Sequence, residues 1–370
     1  MNDLIAVAEV FKHEGNVTDV REFGNGNING TFLATLDAGM SGPDTCSCFV
    51  LQRINTQVFQ QPELVMKNMR AVTEHVRGRL ERAPLDTGRR WDVPRVLLTQ
   101  DGQDHWIDSD KAFWRAISFI DAAQSFDSMR DVRHAKEVGY ALGMFHTLIS
   151  DLPVDRLADT LAGFHVTPLY LRHYNEVAAK HSGGLSPEKN YCLQFVKDRS
   201  AWAHVLEDAR ARGRLGLRPI HGDPKINNIM IDNDTGHAVS IVDLDTVKPG
   251  LVHYDIGDCL RSGCNPLGEE TDLWETVRFE PDFCRAILQG YLLMAREFLT
   301  GDDHEYLYDA IRLIAFELGL RFFTDHLEGN VYFKAKHSSH NLARALVQFK
   351  LAESIESQES AIRSIIRDTK

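Results

Sequence analysis

The chain has 370 residues, 43% of them apolar and 25% charged, with a net charge of −12. This describes a globular protein long enough for two domains or lobes, and its acidity without a basic aromatic stripe argues against a nucleic-acid partner. No stretch approaches the roughly eighteen uninterrupted apolar residues of a membrane span. The six scattered cysteines have neither a disulfide framework nor paired zinc-binding spacings, and Cys46-Ser47-Cys48 alone is too little for a metal site. An acidic N-terminus without a basic-then-apolar leader points to the cytoplasm. Nothing asks for an obligatory protein partner.

In chain order, Leu4, Ile5, Ala8 and Phe11 have helical spacing, which predicts a helix over 2–13 ended by Gly15. Residues 17–23 and 31–36 alternate as strands. Between them lies Gly24-Asn25-Gly26-Asn27-Ile28-Asn29-Gly30. Such a turn either lays backbone N–H groups over nucleotide phosphates or is a plain hairpin. Residues 48–54 form a third strand, the one that carries the phosphate-pairing lysine in a protein kinase. Here Gln52 or Arg53 stands in that place, and no lysine is available. An amphipathic helix over 62–82 follows, with Pro62 in its first turn. Its Glu63 or Glu74 is either a kinase-type ion-pair partner or part of a solvated face. Strand-like runs at 94–100, 105–108 and 112–120 complete a mainly antiparallel first lobe. The chain is expected to cross between lobes near 118–121, where the backbone at Ser118 and Ile120 would bond an adenine. Residues 121–127 read as an irregular connection.

The remainder is mainly helical. A helix over 130–152 carries Val138, Leu142, Phe145 and Ile149, with His146 as a packed residue. Gly139 and Gly143, four apart, allow a close helix contact. Residues 153–168 have no clear periodicity. Helices follow over 169–180, 189–211, 282–297, 303–325 and 341–366. The expected fold class is α+β, with a nucleotide-binding lobe over 1–119 and a catalytic, mainly helical lobe over 120–370.

The chemistry concentrates in 218–258. His221-Gly222-Asp223 is followed five residues later by Asn228, then by a short strand over 229–231. Asp232 to Asp234 read as hairpin turn formers. A second strand over 238–242 delivers Asp243. Phosphoryl transfer needs a carboxylate to orient or deprotonate the attacking hydroxyl, and oxygen ligands that hold Mg2+ on the phosphates. A kinase catalytic loop and its metal-binding Asp have this spacing. Asp255 and Asp258 are either caps at a helix start or further catalytic acids.

On these residues the sequence resembles the aminoglycoside phosphotransferase and choline kinase superfamily, whose protein-kinase-like fold acts on small molecules. Within it, FGNGNINGTF, FVLQRINTQVF, HGDPKINNIMID, IVDLDTVKPG, YDIGDCLR and GLRFFTDHLEGNVYF resemble bacterial N-acetylhexosamine 1-kinases. The resemblance implies a two-lobed fold and the transfer of phosphate from ATP to the anomeric hydroxyl of N-acetylglucosamine or N-acetylgalactosamine. It implies Asp223 as the base, Asn228 and Asp243 as Mg2+ ligands, and Asp243, Arg321 and Tyr332 as sugar contacts. Gly24, Gly26, Asn29 and Gln52 would serve the nucleotide, Gln52 in the place of the kinase lysine. That family usually has His where this chain has Asn27, and Asn cannot take up a proton. Asn27 therefore bears on sugar preference. Two alternatives stand beside this reading. One is a kinase of the same superfamily for an aminoglycoside, choline or another sugar. The other is a nucleotide-binding module without turnover.

Overall fold

The alternating strands near the N-terminus assemble into one antiparallel sheet. The computed structural model describes residues 4–24, 28–37, 48–83, 85, 88–180, 184 and 186–369. Helix α1 (Leu4–Ala8) precedes β1 (Val17–Glu22), β2 (Gly30–Leu36) and β3 (Cys48–Ile54). Then come α2 (Pro62–Arg82), β4 (Val96–Leu97), β5 (Trp106–Ile107) and β6 (Phe113–Ser118). Sheet order is β1-β2-β3-β6-β4, with β5 also paired to β6. The helix predicted to run to residue 13 stops at Ala8. Beyond it Lys12 donates its N–H to Leu98, and Val10 accepts from Gln100, so this stretch pairs as an extended chain.

Strand alternation decides what each face of the sheet carries. Phe49, Leu51, Trp114 and Ala116 pack with Val7, Ala8 and Phe11. The alternate residues Ile54 and Phe113 pack with Phe59, Val65 and Met66 of the α2 region. Gln52 and Arg115 are cross-strand partners on that second face.

The chain divides into two compact units. The first comprises Met1–Ala122, Asp155–Leu161 and Leu244–Lys248, and the second Ala123–Val154, Ala162–Asp243 and Pro249–Lys370. The second opens with β7 (Ala123–Gln124), in the segment expected to be irregular. It continues through α3 (Val132–Ile149), α4 (Thr167–Lys180), α5 (Pro187–Arg199), α6 (Val205–Ala211) and β8 (Arg218–Ile220). A hairpin of β9 (Ile229–Asp232) and β10 (Ala238–Ile241) follows, and β7 adds a third strand beside β9. The rest is α7 (Val252–Gly263), α8 (Pro281–Ala295), α9 (Gly301–Glu328), α10 (His340–Ser357) and α11 (Glu359–Asp368).

Two helices expected to be continuous are broken. After α5 a 3-10 turn over Ser200–His204 sets Trp202 edge-on to Phe316 before α6 begins. Gln358 interrupts the last helix, and its side-chain amide bonds the carbonyl of Phe279. The close contact expected at Gly139 and Gly143 is present. A Cβ on Gly139 would stand 1.9 Å from the Ile287 carbonyl oxygen, and one on Gly143 2.4 Å from that of Tyr291. Gly290 of α8 answers from the other side, 1.9 Å from the Lys136 oxygen. None of the described helices is long and apolar enough to cross a membrane.

Candidate active site

Asp223 sits on a loop whose backbone is fixed atom by atom. Gly222 has φ +87°, a conformation open to glycine at little cost. Pro224 restricts Asp223 to extended geometry. The side chain of Asn228 turns back to donate to the Asp223 carbonyl oxygen at 2.7 Å. That uses the amide nitrogen and leaves Oδ1 as its hard-oxygen donor. Lys225 donates to Asp223 Oδ2 at 2.7 Å. Burial works against the Lys225 charge, but the carboxylates of Asp223 and Asp243 outweigh it and raise its pKa. Lys225 is therefore an ammonium shared electrostatically between the predicted base Asp223 and the predicted metal ligand Asp243.

His221 links the loop to the second acid. Buried between them, it donates from Nε2 to the Val242 carbonyl at 3.0 Å, and its Nδ1 accepts the Asp223 N–H at 3.2 Å. Burial lowers its pKa, which suits this neutral tautomer. Asp243 follows Val242 with φ +64°, in the left-handed region that non-glycine residues seldom occupy. An exposed carboxylate at the end of a hairpin strand, with the Asn228 oxygen, is an all-oxygen donor pair. That suits Mg2+, which binds few protein ligands and keeps waters and phosphate oxygens.

Two buried networks hold the loop from behind. Asp255 lies in the first turn of α7 and Asp258 in the next, and neither is the N-cap, which is Leu251. Asp255 accepts the N–H groups of His221 and Gly222 at 2.7 and 2.8 Å. It also accepts from His146 Nε2 at 2.8 Å, while His146 Nδ1 meets the Tyr291 hydroxyl at 2.9 Å. Burial opposes the Asp255 charge, but His146, His221 and these N–H groups keep its pKa low. The expected packed residue His146 is thus also a polar brace. Asp258 pairs with Arg261 at 2.8 Å. On the other side of Gly222, His165 Nε2 donates to its carbonyl at 2.8 Å, and Nδ1 donates to Glu317 at 2.9 Å. Burial opposes the His165 charge as well. Glu317 overcomes it and raises the pKa, so His165 bridges as an imidazolium.

Glu317 lies one helical turn before Arg321 on α9. The Arg321 guanidinium stands 5.2 Å from the Phe164 ring centre, 5.0 Å from Tyr170, 6.0 Å from Tyr332 and 5.3 Å from Phe333. Burial opposes its charge, and Tyr170, Tyr332, Glu317 and Asp223 together raise its pKa. Tyr332 is held by one carboxylate: Asp325 accepts the successive N–H groups of Val331, Tyr332 and Phe333 at 2.8, 2.7 and 3.1 Å. The expected sugar contacts Arg321 and Tyr332 are therefore neighbours, and Arg321 feels the charge of Asp223.

The predicted nucleotide residues belong to the first unit. Gln52 is half-buried and Arg53 exposed, so Arg53 does not replace the missing lysine on the inner face. Instead Arg115, 1% exposed, donates from Nε and Nη2 to Gln52 Oε1 at 2.9 and 2.7 Å. Its Nη2 also lies 2.5 Å from Asp245 Oδ1. Asn29 donates to the other Asp245 oxygen at 2.6 Å. Gly24 is exposed with φ +75°, while Gly26 and Asn27 lie outside the described residues. Ser118 pairs its backbone N–H with Arg95 at 2.8 Å, and Ile120 is buried. Glu74 pairs with Arg70 on the exposed face of α2, the solvated alternative.

Sequence reasoning missed Lys225, His165, Glu317, Asp325 and Arg115. Of these, Arg115 had a signal: it is the one charge inside the apolar run AFWRAISFI. Residues 19–295 match the model of the phosphotransferase enzyme family. The chain is similar to an aminoglycoside phosphotransferase from Alicyclobacillus acidocaldarius, with TM-score 0.65 and 14% identity over 98% of this chain and 96% of the other. A microcompartment-associated aminopropanol kinase gives TM-score 0.62 and 14% identity over 98% and 99%. Spectinomycin phosphotransferase, solved with ADP and spectinomycin, gives 0.52 and 12% over 99% and 97%. These likenesses show the fold: a two-lobed, protein-kinase-like α+β architecture.

Proposed function

Because the chain belongs to the phosphotransferase enzyme family, and so is a small-molecule phosphotransferase, we propose that it makes a hexosamine 1-phosphate from ATP and a free N-acetylhexosamine. The proposed nucleotide lobe is 1–119 and the catalytic lobe 120–370, working in the cytoplasm. The observation that carries the acceptor reading is the setting of Arg321. Four aromatic rings already surround this cation, within electrostatic range of Asp223. Aromatic faces that would attract a cationic acceptor are engaged by the protein's own guanidinium. A neutral, hydroxyl-rich acceptor gains hydrogen bonds there and meets no like charge.

In the proposed reaction Asp223 aligns the anomeric hydroxyl and accepts its proton as the oxygen–phosphorus bond forms. The bond from the γ-phosphorus to the bridging oxygen breaks, and ADP leaves with the electron pair. A hemiacetal hydroxyl is more acidic than an ordinary alcohol, so a carboxylate can act by orientation and late proton acceptance. Lys225, which donates to Asp223 and feels the charge of Asp243, would offset negative charge as it develops. Asn228 and Asp243 supply the oxygens for Mg2+, which when bound neutralises phosphate charge. Arg321 and Tyr332 bind sugar oxygens, and Gly24, Gly26, Asn29, Gln52 and the backbone at Ser118 and Ile120 serve the nucleotide. Asn27, in the turn, is assigned to sugar preference.

Phosphorus NMR after incubation with ATP, Mg2+ and each hexosamine tests this. A sugar 1-phosphate is the expected product, and a 6-phosphate overturns the anomeric assignment. The second reading is a cationic amino-alcohol acceptor, favoured by the net charge of −12 and by the aminopropanol and aminoglycoside enzymes of like fold. ADP release with choline, aminopropanol or an aminoglycoside, and none with hexosamines, would establish it. Nucleotide binding without ADP release across the panel would mark a non-catalytic module.

A further inference from the structure

We propose that Arg115 is a positioning residue for the nucleotide. It fixes the side-chain amide of Gln52 with its N–H groups turned to the phosphates and supplies the positive field that β3 lacks. The inference rests on the kinase reading above and concerns a residue to which that reading gives no role.

The amide orientation follows from donor and acceptor chemistry. Arg115 offers only donors, and two of them converge on one atom of Gln52, at 2.9 and 2.7 Å. That atom must be the oxygen, because the flipped amide would set its NH2 against the guanidinium. Nε2 therefore points the other way and reaches Thr31 Oγ1 at 3.1 Å. Nε2 carries two hydrogens, and Thr31 takes one of them.

The network closes on the predicted phosphate turn. Thr31 is the second residue of β2, the strand leaving that turn, and Asn29 is the turn's penultimate residue. From Thr31 hydrogen bonds run through Gln52 to Arg115, an ion pair joins Arg115 to Asp245, and Asp245 accepts from Asn29, whose Oδ1 accepts the N–H of Asn55 at 2.9 Å. Arg115 also reaches Met69 Sδ of α2 at 3.8 Å. A guanidinium buried this deeply is tolerated only when paired and hydrogen-bonded: Asp245 pairs its charge and Gln52 accepts its hydrogen bonds. Asp245 lies two residues after Asp243. The same bonds thus hold the neutral donor on β3 and the start of the segment after the proposed metal ligand. A protein kinase places a charged donor directly on β3. Here the charge is one strand away on β6, and Gln52 passes it on as a polarised N–H.

The test uses the full chain, with steady-state kinetics in ATP and in sugar, calorimetric titration with Mg-ADP, and melting temperature for each variant. Arg115→Gln should raise KM for ATP at least ~10-fold, the value of one hydrogen bond to a charged group, and leave KM for sugar within about 2-fold. The exchanged pair Arg115→Gln with Gln52→Lys restores a cation on β3 and should recover KM for ATP to within ~3-fold of wild type. Gln52→Glu keeps an acceptor for Arg115 but loses the donor. It should fold at least as stably as wild type and still show the ~10-fold rise, which covers the case where Arg115→Gln does not fold. Unchanged KM for ATP in Gln52→Glu, or a lower melting temperature without a nucleotide effect in Arg115→Gln, would overturn the proposal and leave Arg115 a structural ion pair. Wild-type protein that fails to bind Mg-ADP would instead overturn the kinase reading itself.

Discussion

The Asp223 loop and the Gln52 network both fix polar groups that the proposed phosphoryl transfer would use, but with different chemistry. The loop is clamped by groups that titrate. Asp255 takes the N–H of Gly222, His165 the carbonyl, and His221 bridges Asp223 to Val242. The Gln52 network is held by Arg115, and arginine keeps its charge across any working pH. The lesson is a division of sensitivity. Turnover should depend on pH through the loop's braces, while nucleotide affinity should depend on the geometry of the Arg115–Asp245 pair around Gln52.

The sharpest break is at Asp223. Asp223→Asn should lower kcat by at least ~10²-fold with nucleotide KM nearly unchanged, measured by coupled ADP release. Asp255→Asn comes next. Its NH2 would face one of two backbone donors while His146 loses its carboxylate, so about 3 kcal/mol or more of stability should go in urea unfolding, with kcat falling too. Lys225→Met should cost roughly 10-fold in kcat, one charge-assisted contact, and shift nucleotide KM less than Arg115→Gln does.

The smaller effects lie in the pH profiles. The raised pKa of His165 means its contribution is complete below about pH 6.5 and is lost as pH rises through the folded value. The alkaline limb of kcat should therefore flatten in His165→Gln, whose amide still donates to Gly222; an unchanged limb would remove His165 from the comparison. The sign reverses for buried His253, whose pKa burial pushes down to about 4 and whose Nε2 donates to the Asp303 carbonyl. Its neutral form stabilises the fold above about pH 6.5, and that contribution is lost as pH falls towards 4. Melting temperature over that range should fall less steeply in His253→Gln.

How much could be read beforehand follows chain separation. Asp223, Asn228 and Asp243 were legible as a proposed site because they lie on one loop and at the two ends of the hairpin that follows it. So were β3, α2 and the glycine contact of α3, where periodicity or a four-residue interval carries the information. Glu317 and His165 were not, since their meaning arises only when α9 and the residues before α4 meet at Gly222. Asp255 was visible as an acid near a helix start, yet its N–H partners lie more than thirty residues earlier. Arg321 and Tyr332, the proposed sugar contacts, entered through resemblance, and nothing in their local sequence marks them. The breaks at Ser200 and Gln358 were hidden because tertiary bonds outweigh helical periodicity there.

The contact between α3 and α8 sets a rule for anyone stabilising this enzyme. Replacing helical glycines by alanine ordinarily gains up to ~1 kcal/mol per site and is a routine engineering step. At Gly139, Gly143 and Gly290 the added methyl group would run into a carbonyl oxygen at 1.9 to 2.4 Å. Helix α3 would have to move off α8, carrying His146 away from Tyr291. A consensus or propensity-guided library should therefore hold these three positions constant and spend its diversity elsewhere.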